Sequence, residues 1–563
     1  MAPPITMPRC EDVDMSKAVF NVKETVAPRL VGRALRFFVW IWESRLFGPA
    51  VLNIMLRKNG IVEMLRRRNI PEEPTFVPCL PDDLATENGI MFVPPGTSPS
   101  DQVSSALDGL SERKFENRES LLGGQAWRRW TIRDYHNAYM KGKITPTEVA
   151  ERLLRFCEQS RKEAIPMNFF TQINPDDVRR QAEQSTQRYK SGSPLSVLDG
   201  VPIAIKDEID CLPYETTMGT TWMGRALPVQ QDATCVARLR ECGAIIAGKT
   251  NMHEIGMGTT GQNVHFGTPR NPYNTSRYTG GSSSGSAAVV SAGLVPAALG
   301  ADAGGSIRIP ASLCGVVGLK PTFGRVNAKN GSFHLVPSVC VTGPICGTVE
   351  DTLIMYAALA GKGPQDQPPS VLGTKPDRML ILPDLGPSYS AGMPAWGVLD
   401  GIRIGKYNQW FNLARSDIVE ACESALQAFA KTYNGRVMDI VIPELAEMLN
   451  AHRVTIGCEC RSAVNAHYEA GRRKDFSHEV RMTLVSFGGF NACDYLHAQQ
   501  ISLRLYGIQC DFAIRNSVIS SWLIFLVIWY QSPFKLLRWL QRIGDLVLCS
   551  AKAWLHVVSD GLL

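Results

Sequence analysis

The chain has 563 residues, 45% of them apolar and 20% charged, with a net charge of +6. That is ample for one large packed enzyme domain, and the mild charge, without a Lys/Arg-rich block interleaved with aromatics, excludes nucleic acid as a partner. Fifteen cysteines scattered singly, with no C-x-x-C pair, fit reduced thiols in a cytosolic setting. Cys458 and Cys460 are too close together and too isolated for a zinc site, and there is no metal or nucleotide fingerprint and no internal repeat.

Residues 1–22 lack the charged start and contiguous apolar core of a secretion signal, so export is not expected. Residues 35–56, LRFFVWIWESRLFGPAVLNIML, are strongly apolar, yet Glu43, Arg45 and Pro49 interrupt them, which excludes a transmembrane span. The expectation is an amphipathic helix packed on the enzyme body, with a membrane-surface helix as the minority reading. Residues 57–68, RKNGIVEMLRRR, add positive charge that would favour anionic lipid or simply end a solvated helix. Residues 71–100, rich in proline and acidic side chains, read as an extended linker or wrapping arm.

Further along, TIRDY and GKITPTEV read as opening helices, with Thr145 as N-cap and Pro146 as the first helical residue. In GVPIAIKD the apolar run 201–205 predicts a short buried strand that delivers Lys206 into an interior where desolvation lowers an ammonium pKa. A neutral lysine is a usable base, although a surface lysine ending a strand is the commoner case. In GAIIAGKTNMHE, Asn251 and Glu254 suit loop supports, and for Lys249 and His253 simple solvation is the alternative.

The stretch 280–310, GGSSSGSAAVVSAGLVPAALGADAGGSIRIP, places two Gly/Ser-rich turns around an apolar, alanine-rich segment that predicts a helix and a strand. Glycines let backbone approach a ligand, and the serines supply hydroxyls for nucleophilic attack or proton relay. A flexible linker is the bland alternative, and the apolar residues that follow argue against it. The sharper rival is a G-x-S-x-G nucleophile elbow at 281–285 with Ser283 as nucleophile. That fold needs a buried strand before the turn, whereas NPYNTSRYT is polar, and the downstream histidines His334, His452, His467, His478, His497 and His556 stand in no distinguishing context.

Taken together, VPIAIKD, GGSSSGSAA and DAGGSIRIP resemble the Ser-cisSer-Lys motifs of the amidase signature family of serine hydrolases. The resemblance runs from about residue 130 to 500 and includes GVVGLKP and GPICGTVED. It implies an α/β fold with a mixed central β-sheet covered by helices on both faces. It also implies Ser306 as nucleophile, Ser282 as bridging serine with a cis peptide bond and Lys206 as base. The backbone amides of Ala303, Gly304, Gly305 and Ser306 would form the oxyanion hole, with Ser283, Asp302 and Arg308 as supports. No cofactor is implied. The partner is a small-molecule amide, with peripheral membrane contact and homodimerisation left open. One departure is Ser284, where the family has glycine; a positive φ there would strain a serine.

These readings divide the chain into an N-terminal helical extension and linker (1–120), a catalytic domain (121–505) and an atypical apolar segment (506–563). In the last, VISSWLIFLVIWY is short of the ~20 residues that span a bilayer. An interfacial anchor, a buried helix and an end foreign to the fold are the alternatives, and the last is expected. The favoured function is a free-standing amidase. A fatty-acid amide hydrolase gains support from the apolar N-terminus, a glutamyl-tRNA amidotransferase subunit is disfavoured, and a catalytically impaired relative would follow from an incomplete C-terminal part.

Overall fold

The apolar runs of residues 201–205, 245–250 and 297–302 become neighbouring strands in the computed structural model. It describes residues 30–44, 46–60, 90–93, 97–108, 129–321, 323, 325–326, 335–361, 380–383, 403–432, 434–441, 444–516 and 519–520. Helices α1 (Gly32–Trp42) and α2 (Gly48–Asn59) come first, then strand β1 (Ile90–Val93) and α3 (Pro99–Asp108). Next are α4 (Ile132–Met140), α5 (Pro146–Lys162), β2 (Phe170–Gln172), α6 (Pro175–Lys190), β3 (Pro202–Lys206), α7 (Thr234–Glu241) and β4 (Ile245–Thr250). The hairpin of β5 (Arg270–Asn271) and β6 (Asn274–Tyr278) leads to α8 (Ser284–Ser291), β7 (Ala297–Asp302), α9 (Arg308–Leu313), β8 (Val317–Gly318), β9 (Val341–Cys346) and α10 (Val349–Leu359).

The central sheet has the order β2-β4-β3-β7-β9-β8. It is mixed: β3 runs parallel to β4 and β7, while β2, β9 and β8 pair antiparallel. Strands β3, β4 and β7 are buried along their whole length, as befits strands covered on both faces. Side-chain alternation assigns those faces. Ile203 and Ile205 point into a core with Leu239 of α7, Tyr135 and Tyr139 of α4, and Ile354 and Met355 of α10. Ala204 and Ala298 face the other way, onto Val289 and Val290 of α8 and Leu153 of α5. Thr145 caps α5 with a reciprocal Glu148 contact and Pro146 at its start, the arrangement that satisfies orphan N-terminal amides.

Two regions differ from the sequence expectation. The apolar N-terminal run is two helices, since residues 43–47 break it and Pro49 falls in the first turn of α2, where its missing N–H is harmless. The pair rests on the later helix His478–Phe487 through Val39, Trp42 and Met482. Part of the expected linker is ordered, because β1 pairs antiparallel with β10 (Leu380–Pro383). Beyond it lie β11 (Arg403–Lys406), α11 (Ser416–Thr432), β12 (Arg436–Asp439), α12 (Leu445–His467), α13 (His478–Phe487), α14 (Ala492–Asn516) and β13 (Ile519–Ser520). β11 is flanked by β12 and β13, both parallel to it. The apolar C-terminal run otherwise lies outside the described residues. Among the described residues no helix is long and apolar enough to cross a membrane.

Candidate active site

Because β3 and β7 are adjacent and parallel, the residues at their C-terminal ends, Lys206 and Asp302, emerge at one edge of the sheet, where open α/β sheets place their ligands. The turn 303–306 follows Asp302 directly, and α8 carries the earlier serine turn back onto β7. The two turns are tied together by the Ser283 amide, which donates to Ser306 O at 3.1 Å. The His253 amide fixes the other side of the turn by donating to Ser282 O at 3.1 Å. Gly285 is required for this approach, since a Cβ there would collide with the backbone of Phe169 and Asn251.

Lys206 is 1% exposed, so the surface-lysine alternative fails. Its Nζ donates to Ser282 Oγ at 2.8 Å and to Ala301 O at 3.3 Å. Burial is not its whole setting, for Glu208 Oε2 lies 3.0 Å from Nζ. Glu208 was not singled out in the sequence, although it stands two residues after the lysine. The Gly281–Ser282 peptide is cis. The Ser306 hydroxyl is half-buried and makes no hydrogen bond to a described residue. Ser283 is completely buried and donates to Ala301 O at 3.4 Å. Every residue of the preceding strand β6 is exposed, so the buried strand that a nucleophile elbow requires is absent there.

Asp302 organises the turn. Its carboxylate accepts from the Gly305 amide at 2.7 Å and the Ile307 amide at 3.1 Å, and from Arg308 Nε at 2.9 Å and Nη2 at 2.8 Å. Burial opposes its charge, yet the Arg308 guanidinium, helped by Lys320 and the Ile307 amide, holds its pKa far below the usual carboxylate range. Gly305 has φ +130°, which only glycine adopts freely. Its amide is engaged by Asp302, which corrects the expected oxyanion set. Ala303, Gly304 and Ser306 are the amides of the turn without an acceptor among the described residues. Ser284 sits in the first turn of α8 with no positive φ, so glycine's absence costs nothing there. Its Oγ donates to Asn251 O at 3.3 Å.

The β4 loop also differs from expectation. Lys249 and His253 are buried rather than solvated. Lys249 Nζ lies 3.6 Å from Asp207 Oδ1 and donates to Ile209 O at 2.7 Å and Thr216 Oγ1 at 2.9 Å. Burial raises the Asp207 pKa, against the pull of Lys249 and of Thr217. Asn251 Nδ2 donates to Gly267 O at 2.7 Å, and Glu254 accepts from the Ser477 amide at 3.1 Å and faces His265 Nε2 at 3.0 Å. Against Ala303 stands an apolar cluster that includes Met218, Met252, Ile255, Leu335 and Val336, with Trp222 and Met257 partly buried at its margin.

A buried lysine bonded to a serine, beside a glycine turn presenting a second serine, is a constellation for amide hydrolysis, and the chain belongs to the amidase family. The family model described as Amidase matches residues 151–503. The chain is 43% identical over 500 residues to a fatty acid amide hydrolase of Medicago truncatula, covering 88% of this chain and 80% of that protein. It is 40% identical over 504 residues to one of Oryza sativa subsp. indica, covering 89% and 81%. The solved structure of a bacterial aryl acylamidase of the amidase signature family matches with a TM-score of 0.57 at 25% identity, over 69% of this chain and 78% of that one. The protein is therefore an amide-hydrolysing enzyme with the amidase signature fold.

Proposed function

We propose that the enzyme hydrolyses fatty acid amides through Ser306, Ser282 and Lys206. The observation that carries this reading is the buried 2.8 Å hydrogen bond from Lys206 to Ser282 at the foot of the turn that bears Ser306. In the proposed sequence, Ser306 passes its proton to Ser282, whose own proton goes to the lone pair of neutral Lys206, and Ser306 Oγ attacks the amide carbonyl. The carbonyl π electrons move onto oxygen, which the amides of Ala303, Gly304 and Ser306 face. Collapse breaks the C–N bond while the relay, run backwards, protonates the amine as it leaves. Water then releases the acid by the same chemistry.

The acyl group follows from the surroundings of Ala303. An alkyl chain leading away from a carbonyl at Ser306 would meet the partly buried margin of the apolar cluster beside Ala303, where Trp222 and Met257 stand, and the thioether of Met257 is pliant enough to fit chains of varied shape. The activity named for the relatives from Medicago and Oryza supports the same substrate class, and this is preferred to the unspecialised amidase of the sequence reading. Such substrates partition into lipid. The exposed apolar face of α1 and α2, where Phe37 is 62%, Trp40 65% and Leu46 83% exposed, with Arg33 and Arg36 exposed beside it, is read as the surface that meets an anionic membrane.

The test is labelling with a fluorophosphonate probe together with hydrolysis of oleamide and of acetamide. Wild type is expected to be labelled and to turn over oleamide with the higher kcat/KM. Ser306→Ala should lose labelling and at least about 1000-fold in kcat, and Ser283→Ala should keep labelling. Labelling that survives in Ser306→Ala, or a preference for acetamide, would overturn the corresponding half of the proposal.

A further inference from the structure

Lys206 has one carboxylate within ion-pair distance among the described residues. Glu208 is two positions further along the chain, 7% exposed, and its Oε2 is 3.0 Å from Lys206 Nζ, which lies 2.8 Å from Ser282 Oγ. Both Glu208 Oε2 and Ser282 Oγ stand 3.7 Å from the place a Cβ on Gly256 would take. Carboxylate, lysine nitrogen and bridging hydroxyl are therefore close neighbours. Glu208 is also a costly residue to bury, and a buried carboxylate is kept where its charge is used or paired.

The other charged and titratable groups around this pair are committed elsewhere. From the end of β3, Asp207 faces Lys249 at 3.6 Å. From β7, Asp302 is bound to Arg308 at 2.8 Å. Lys320, whose pKa burial and then Arg308 bring down to about 8, sits beyond Asp302. From the loop after β4, His253 faces Glu479 at 3.5 Å and Glu254 faces His265 at 3.0 Å. Cys340 and, on α12, Cys460 feel Glu208 as well, but burial pushes both thiols up and keeps them uncharged near neutral pH.

We infer that Glu208 is a positioning residue for Lys206: it holds Nζ toward Ser282 and balances the positive charge that appears on Nζ when the relay delivers a proton. The inference rests on the Ser306–Ser282–Lys206 reading given above. In the acylation step one proton leaves Ser306, one passes from Ser282 to Nζ, and the serine oxygen bonds to the carbonyl carbon. Glu208 stays a carboxylate throughout and neither gains nor loses an atom. Its part resembles that of the buried aspartate which orients and stabilises the protonated histidine in Ser-His-Asp hydrolases. Without it, the ammonium formed in the transition state would be balanced only by neutral dipoles, Ala301 O and Ser282 Oγ.

The experiment is the pH profile of kcat/KM for oleamide in wild type, Glu208→Gln and Glu208→Asp, with Lys206→Ala and Ser306→Ala run alongside. Glu208→Gln keeps the shape and removes the charge. The plateau is expected to fall about 100-fold, and the midpoint of the acid limb to move down by about one pH unit, because loss of a neighbouring negative charge makes the ammonium form harder to maintain. Glu208→Asp keeps the charge at shorter reach and should recover to within about tenfold of wild type, with its limb closer to the wild-type position. A merely structural role would lower the rate without moving the limb. Wild-type plateau and limb in Glu208→Gln would overturn the inference, and so would a lowered plateau with an unmoved limb. Should Glu208→Gln not fold, Glu208→Ala, which also lacks the charge, takes its place: a wild-type rate and limb there overturn the inference. Activity retained in Lys206→Ala and Ser306→Ala would instead sink the reading of the site itself.

Discussion

At the ends of β3 and β7, Lys206 and Asp302 are buried and held by several neighbours each, whereas α1 and α2 rest on α13 through a few apolar residues and one carboxylate. Asp302 alone accepts from three backbone amides and two guanidinium nitrogens. The N-terminal pair is attached by Val39, Trp42 and Met482, and by Glu43, which accepts from Arg481 Nε at 3.0 Å and from the Tyr468 hydroxyl at 3.0 Å. The first region uses buried charge to fix geometry, which is expensive unless every partner is present. The second places Phe37, Trp40 and Phe47 on the outside, where they add little to the fold and are available to another apolar phase. Substitutions should therefore propagate through the body and remain local in the N-terminal pair.

The largest effect is expected from Asp302→Asn. Arg308 is 2% exposed, and removing the charge it pairs with leaves a buried guanidinium uncompensated, at a cost of roughly 3–5 kcal/mol. Chemical denaturation at pH 7 would measure it. The pH dependence has a definite sign. The Asp302 pKa is depressed in the fold, so its contribution is present above the unfolded-state value near 4 and is lost as pH falls below it. Wild type and variant should thus differ most at neutral pH and converge toward pH 2. Equal stability at pH 7 would mean that the turn is held by something other than this pair.

A smaller effect of opposite sign belongs to Asp351, in the first turn of α10. It accepts from the Ile132 amide at 2.9 Å and from the Thr348 hydroxyl at 2.8 Å, joining the start of α4 to α10. Burial, partly offset by those two bonds, pushes its pKa up to about 7. A raised carboxylate pKa gives stability that is complete below about pH 4 and is lost as pH rises through about 7, a change on the order of a few kcal/mol. Wild-type Tm should accordingly decline between pH 5 and pH 8. Asp351→Asn, which keeps the acceptor for Ile132, should flatten the curve across that window. An unchanged slope in the variant would assign the decline to another group.

The same contrast explains what could be read in the chain before its structure. The motifs around Lys206, Ser282 and Ser306 were legible because catalytic turns need glycine where no Cβ fits, as at Gly285, and a buried strand needs an unbroken apolar run, as at 201–205. The burial of Lys249 and His253 was not, since polar side chains paired across distant segments leave no local signature; Asp207 and Lys249 are 42 positions apart. Glu208 escaped notice for the same reason, as its meaning depends on where Lys206 Nζ points. The engagement of the Gly305 amide by Asp302 depends on a turn geometry that spacing does not specify. In the N-terminal run, composition marked a helix, while the break at residues 43–47 comes from the docking of Glu43 on Arg481 and Tyr468.

The smallest effect on the fold, and the clearest on the surface, should come from the double substitution Phe37→Ser with Trp40→Ser. The two rings stack on each other at 6.0 Å between centroids, and both are more than half exposed, so their loss should change stability by about 0.5 kcal/mol or less. Hydrolysis of a short, water-soluble amide should be unchanged, because both rings lie on the exposed face of α1. Binding to vesicles of phosphatidylcholine and phosphatidylserine, followed by sedimentation, should weaken by about tenfold or more, since burying one such ring in an apolar phase is worth about 1.5–3 kcal/mol. Unaltered sedimentation would remove the membrane from the account of α1 and α2. A fall in Tm would remove the contrast itself, because it would make these rings part of the packing that holds the helix pair to α13.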